Sequence, residues 1–122
     1  MSNVKKILFI VTTSDEETLR AGLLNATNLM ANDVPVKMFV SQKACHFFTK
    51  KAWDASPDGD VSLKGRMGQA FTLGLDTIVC RTAVANYKMT AEDFVDKVDA
   101  TKGWGDIVDE QTDPDVKVLW IA

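Results

Sequence analysis

The sequence predicts an α/β protein: a small doubly wound, mostly parallel sheet of four to five strands with helices on both faces. Three observations carry this. Short apolar, β-branched runs recur with little apolar–polar alternation, as in "VKKILFIVT" and "VKVLWI". That is the pattern of parallel strands buried on both faces. Between the runs lie stretches whose apolar residues are spaced for helices. Strand and helix alternate, so right-handed crossovers return the chain to one sheet.

The first strand is expected over Val4–Thr12. Ser14 and Glu17 then form an S-x-x-E capping box, and Leu19, Leu23, Ala26 and Met30 give the helix one apolar face. Asn32 and Asp33 close it. "VPVKMFV" (Val34–Val40) reads as the second strand, with Pro35 at its start, where the missing N–H is tolerated. Ser41–Trp53 reads as a second helix offering Ala44, Phe47, Phe48 and Ala52 to the core. Asp54–Asp60, with Pro57 and Gly59, reads as a loop. Leu63, Met67, Ala70 and Phe71 mark a third helix, weakened by Gly68 and ended by Gly74 as a left-handed cap. Asp76–Cys80 is the third strand, and a short helix follows from Arg81 to about Tyr87. Thr90 and Asp93 can cap a further helix that buries Ala91, Phe94, Val95 and Val98. "KGWGDIVDE" predicts a loop and a last short helix, and Val116–Ile121 the final strand.

Composition narrows the function. The 122 residues fit one domain, 1–122, and are enough for a core without disulfide staples. Hydrophobic residues make up 46% and charged residues 25%, as in soluble globular proteins. Residues 1–80 carry 9 basic and 8 acidic side chains, residues 81–122 carry 5 and 9. Neither part is a basic surface, so a nucleic-acid partner is not expected. The acidic C-terminal part reads as a solvated face, with a basic partner as the alternative. The apolar run Ile7–Val11 is too short for a signal-peptide core or a membrane span. The expected setting is the cytoplasm, away from membranes, with both cysteines reduced.

Cys80 stands where a buried strand hands over to a helix. In doubly wound sheets, chemistry gathers at the carboxyl ends of the strands. Thiolate is the reactive form of cysteine, and a helix N-terminus and an adjacent cation both favour it. Cys80 would have free N–H groups and Arg81 beside it. The alternative is a buried, inert cysteine, which is what most unpaired cysteines are. Cys45 lies inside the expected second helix beside Phe47 and Phe48, which favours a core role. A Cys45–Cys80 redox pair is a further option, with the first strand expected to separate the two. His46, the single histidine, has no Cys-x-x-Cys or His-x-x-x-His companion, so it reads as a surface residue and no metal site is expected. Phosphate-binding glycine motifs are missing after the first strand. Thr12, Thr13 and Ser14 could face an anion, but Asp15, Glu16 and Glu17 would repel a polyphosphate, and capping explains them better. Trp104 reads as packing over the core or at a subunit contact rather than as a stacking platform.

Two stretches carry a resemblance to a known family. They are "KKILFIVTTSDEETLRAGLLNATNLMANDVPVKMFV" and "GQAFTLGLDTIVCRTAVANYKMTAEDF", joined by the closing "GWGDIVDEQTDPDVKVLWI". Together they resemble the DsrE/DsrF-like family, which includes TusD- and YchN-type sulfur-relay proteins. The resemblance implies a persulfide carrier, a sulfurtransferase without cofactor. Sulfur would be taken onto the strand-end cysteine, which Cys80 matches, and passed to a partner's thiol. It also implies homo-oligomers, trimers or hexamers, that meet donor and acceptor proteins. Arg81 would stabilise the thiolate or persulfide, with an ordinary solvated arginine as the alternative, and Cys45, which matches no transfer position, would be at most a secondary thiol. The chain departs from the family where "RTAVANYKMT" offers one Arg and no second Cys. The rival reading is a non-catalytic oligomeric subunit, or a small-ligand-binding protein, with Cys80 as packing. A peroxide-sensing thiol protein would need a resolving cysteine.

Overall fold

The computed structural model describes residues 4–122. Five strands form one sheet: β1 Lys6–Val11, β2 Val36–Val40, β3 Asp76–Val79, β4 Val98–Asp99 and β5 Val116–Ile121. Their order is β4-β3-β2-β1-β5, and every ladder between them is parallel. The central strands are the most apolar runs of the chain, and β2 is buried at all its positions.

Residues level with one another in a parallel ladder face the same side of the sheet. Ile10 is level with Phe39 and with Trp120, so these three share one face. Val11, Val40 and Ile121 share the other. Helix α1 (Glu16–Ala31) covers the second face, burying Leu19, Leu23 and Ala26. It lies so close that a Cβ on Gly22 would come 2.5 Å from Ile121 Cδ1. Helix α3 (Leu63–Thr72) packs beside α1 and buries Leu63, Met67 and Ala70. The first face takes a 3-10 turn, Trp104–Ile107, and the short helix α5, Val108–Thr112. The Trp104 ring lies 4.6 Å from Phe39 and 6.4 Å from Trp120. Glu110 of α5 accepts from Lys6 Nζ at 2.8 Å and from Lys37 Nζ at 3.0 Å. Helices therefore lie on both faces, as the pattern predicted.

Three local expectations are corrected. The first helix is capped by Asp15, whose carboxylate accepts from the Thr18 N–H at 3.0 Å, and not by a Ser14–Glu17 box. A carboxylate at a helix start also meets the positive end of the dipole. The expected helix Ser41–Trp53 is two pieces, a 3-10 helix over Gln42–Phe48 and α2 over Lys50–Ala55. Thr49 divides them: its backbone is extended, its hydroxyl caps the Ala52 N–H at 3.1 Å, and it bridges to Phe94. The helix expected after Thr90 stops at a 3-10 turn, Ala91–Asp93. The cap forms, with the Thr90 N–H donating to Asp93 at 2.8 Å. The Val95 N–H then donates to Phe48 O at 3.1 Å, and the chain runs extended into β4. Phe94 is buried as predicted, Val95 and Val98 are half-buried, and Ala91 is exposed. By contrast, Gly74 ends α3 with φ 99°, the left-handed cap that its sequence position implied.

Candidate functional site

The carboxyl ends of β1, β2 and β3 form a continuous hydrogen-bonded row. The Ser41 N–H donates to Val11 O at 2.9 Å, and the Cys80 N–H donates to Val40 O at 2.8 Å. Cys80 is the cap residue of α4 (Arg81–Asn86), so the sequence located this turn correctly. Its surroundings differ from expectation in two ways. The thiol is buried, with 1% of the residue exposed. The Arg81 N–H is not free, because it donates to Lys102 O at 2.8 Å. Thr82 and Ala83 occupy the second and third positions, whose N–H groups have no acceptor within a helix.

The Arg81 side chain serves the loop that follows β4. Its guanidinium donates to Thr101 O at 3.4 Å and lies 3.8 Å from the Asp106 carboxylate. Asp106 also accepts from the Gly103 N–H at 2.9 Å. The start of α4 is thus tied to the loop that carries Trp104. Sequence reading did not include Asp106 in the site. The signal was an acid three residues beyond Gly103, the spacing of a turn cap.

Cys45 is fully buried in the 3-10 helix after β2. The expectation that β1 separates it from Cys80 is wrong. β2 and β3 are direct neighbours, with Val40 level with Val79, so both cysteines follow adjacent strand ends. Both are free thiols. Burial pushes the Cys45 thiol up from its ordinary value; its own N–H works against this, the charge of Cys80 adds to it, and the His46 N–H offsets part. Hence the Cys45 thiol is neutral at pH 7. His46 is exposed, and its ring meets Tyr87 of the α4 end edge-on at 4.7 Å. Gln42, at the corner leaving β2, has φ 56°, a conformation uncommon for a residue with a Cβ.

The row at the carboxyl ends also includes Thr13, which is buried and accepts from the Asp15 N–H at 3.1 Å. Two surface clefts of about 430 Å³ lie elsewhere. One is lined by Val34, Pro35 and Leu73, the other by Trp53, Phe71 and Val95. Neither reaches Cys45 or Cys80. Among the described residues, no group of three or more His, Cys, Asp or Glu side chains is placed to hold a metal. Among them, too, no helix is long and apolar enough to cross a membrane.

Solved structures share this fold at low identity. A protein of unknown function from Methanobacterium thermoautotrophicum, MTH1491, is 19% identical with a TM-score of 0.74, covering 94% of this chain and 97% of its own. The ychN protein from E. coli is 14% identical with a TM-score of 0.77, covering 96% and 99%. A conserved protein of unknown function from Bacteroides thetaiotaomicron, BT1422, is 12% identical with a TM-score of 0.71, covering 95% and 94%. No curated protein matches the chain. The sequence pattern of the DsrE/DsrF-like family matches residues 5–119, almost the whole length. The chain belongs to the DsrE/DsrF-like family.

Proposed function

We propose that this chain is a sulfur-relay protein that carries persulfide sulfur on Cys80 and passes it to a partner protein. The observation that carries the reading is the place of Cys80 in a member of this family, at the carboxyl end of β3 and the start of α4. Loading transfers the outer sulfur of a donor persulfide to the Cys80 thiolate and releases the donor as a thiol. A terminal persulfide is more acidic than a thiol, so it is anionic at neutral pH. It gains more than the thiol does from the N–H groups of Thr82 and Ala83. Arg81, next in the chain, contributes positive charge. Because Cys80 is 1% exposed, loading requires the short α4 or its linked loop to move when the donor docks. The protein works in the cytoplasm as a homo-oligomer, a trimer or hexamer, between a donor and an acceptor protein. The apolar surface for assembly is on the first face of the sheet, where Trp120 is 59% and Trp104 38% exposed.

Mass spectrometry tests the reading. Incubation with a polysulfide donor is expected to add about 32 Da per sulfur atom to Cys80 alone, removable by a reductant. Cys80→Ser is expected to fold and fail to load. Loading of Cys80→Ser, or a wild type that takes sulfur from no donor, overturns it. The burial of Cys80 favours the second reading, a non-catalytic oligomeric subunit or small-ligand-binding protein with a structural cysteine. That reading predicts no loading at all.

A further inference from the structure

Cys45 has no part in the carrier reading, yet the fold places it after the strand end that neighbours the one leading to Cys80. The sheet order makes β2 and β3 neighbours, and the Cys80 N–H is bonded to the last residue of β2. The 3-10 helix that carries Cys45 starts two residues later. It packs against α4, where His46 meets Tyr87. Both cysteines belong to one continuous apolar core.

We propose that Cys45 is the resolving thiol of the Cys80 persulfide. Its sulfur attacks Cys80 Sγ, closes an internal Cys45–Cys80 disulfide and expels the carried sulfur as hydrosulfide. This rests on Cys80 being the carrier. The balance is closed within the chain: the new bond joins the two Sγ atoms, and the bond from Cys80 Sγ to the terminal sulfur breaks. The electron pair leaves on the terminal sulfur, and the proton of the Cys45 thiol goes with it. Cys80–S–S⁻ and Cys45–SH become the disulfide and HS⁻, so no outside oxidant is consumed.

Geometry and electrostatics set the pace. Closure brings the two Cα atoms within about 7 Å. The helix carrying Cys45 packs against α4, whose cap residue is Cys80. Burial holds the Cys45 thiol neutral, so its attack is slow. A loaded chain therefore survives long enough to meet an acceptor, and discharges as hydrosulfide when none comes.

The test follows reduced protein after polysulfide loading and anaerobic desalting. Wild type is expected to pass from the loaded mass to one about 2 Da below the reduced chain, releasing hydrosulfide, with non-reducing digestion joining the peptides of Cys45 and Cys80. Cys45→Ala is expected to hold its sulfur about tenfold longer and release no hydrosulfide on that timescale. Loaded wild type that never yields the joined peptides overturns the proposal and leaves the carrier reading standing. So does a lifetime equal to that of Cys45→Ala. Wild type that never loads overturns the carrier reading, and the proposal falls with it. The peptide map of wild type decides the matter even if Cys45→Ala does not fold.

Discussion

The two cysteines differ in what surrounds their sulfur, and that difference is measurable. Cys45 sits wholly in the core, where burial holds its thiol neutral. Cys80 caps an exposed short helix, with exposed Arg81 and Thr82 directly after it. Alkylation needs thiolate and access. Brief iodoacetamide treatment of the native protein at neutral pH, followed by peptide mapping, is expected to label Cys80 before Cys45. Both should label more slowly than in the unfolded chain. Equal or reversed labelling counts against the site. The strand-to-helix turn at Cys80 was legible in the sequence, because an apolar run ending before a helix-capable stretch is a local signal. Its burial was not legible, and neither was the tie from Arg81 to Lys102 and Asp106, because both depend on segments distant in sequence.

At the scale of elements, α5 shows how a short helix is held. Its five residues are too few to be stable by themselves. Glu110 anchors it by accepting from Lys6 and Lys37, and the Lys37 side chain is 10% exposed. Burial pushes the Glu110 carboxyl up, but the hydrogen bonds and charges of the two lysines outweigh it and hold the carboxyl below its ordinary value. A carboxyl lowered in the folded state stabilises fully above its unfolded pKa, about 4.3 for Glu. That contribution is lost as pH falls through the folded value. Glu110→Gln is expected to cost about 1–3 kcal/mol at pH 7 in urea unfolding, and clearly less at pH 3. An equal cost at both pH values refutes this account. The helix α5 was readable from "GWGDIVDE", but its anchor was not, because Lys6, Lys37 and Glu110 are distant in sequence. The opposite failure occurred at Thr90: the cap was readable and formed, but Phe48 and Thr49 drew the next residues into an extended path.

For the whole molecule, the exposed edges and the tryptophans make assembly the expected state. β5 is an edge strand, and edge strands need cover. Trp120 and Val108 are 59% and 50% exposed, and Trp104 stacks on Trp120 and meets Phe39 at a tilt. Light scattering at micromolar concentration is expected to give a trimer or hexamer. Trp120→Asp is expected to dissociate it while the circular dichroism of the chain is kept. A wild-type mass equal to one chain, or an assembly unmoved by Trp120→Asp, removes this face from the account. Trp104 was visible as a candidate contact in the sequence. That Trp104 and Trp120 meet on one face follows from the strand register, with Ile10 level with Trp120 and Phe39.

The sequence by itself determined the α/β class, the helices α1, α3 and α4, the strands β1, β2, β3 and β5, and the place of Cys80 at a strand end. These follow from periodicity, capping residues and turn glycines, all contained in short windows of chain. Only the tertiary structure decided that β2 lies next to β3, which puts Cys45 and Cys80 after adjacent strand ends and removes β1 from between them. It also decided the break at Thr49, the extra strand β4 and the closed environment of the Cys80 thiol. Each of these depends on which distant segments pack together. A local window holds no information on that, because the energy is in contacts between residues far apart in the chain.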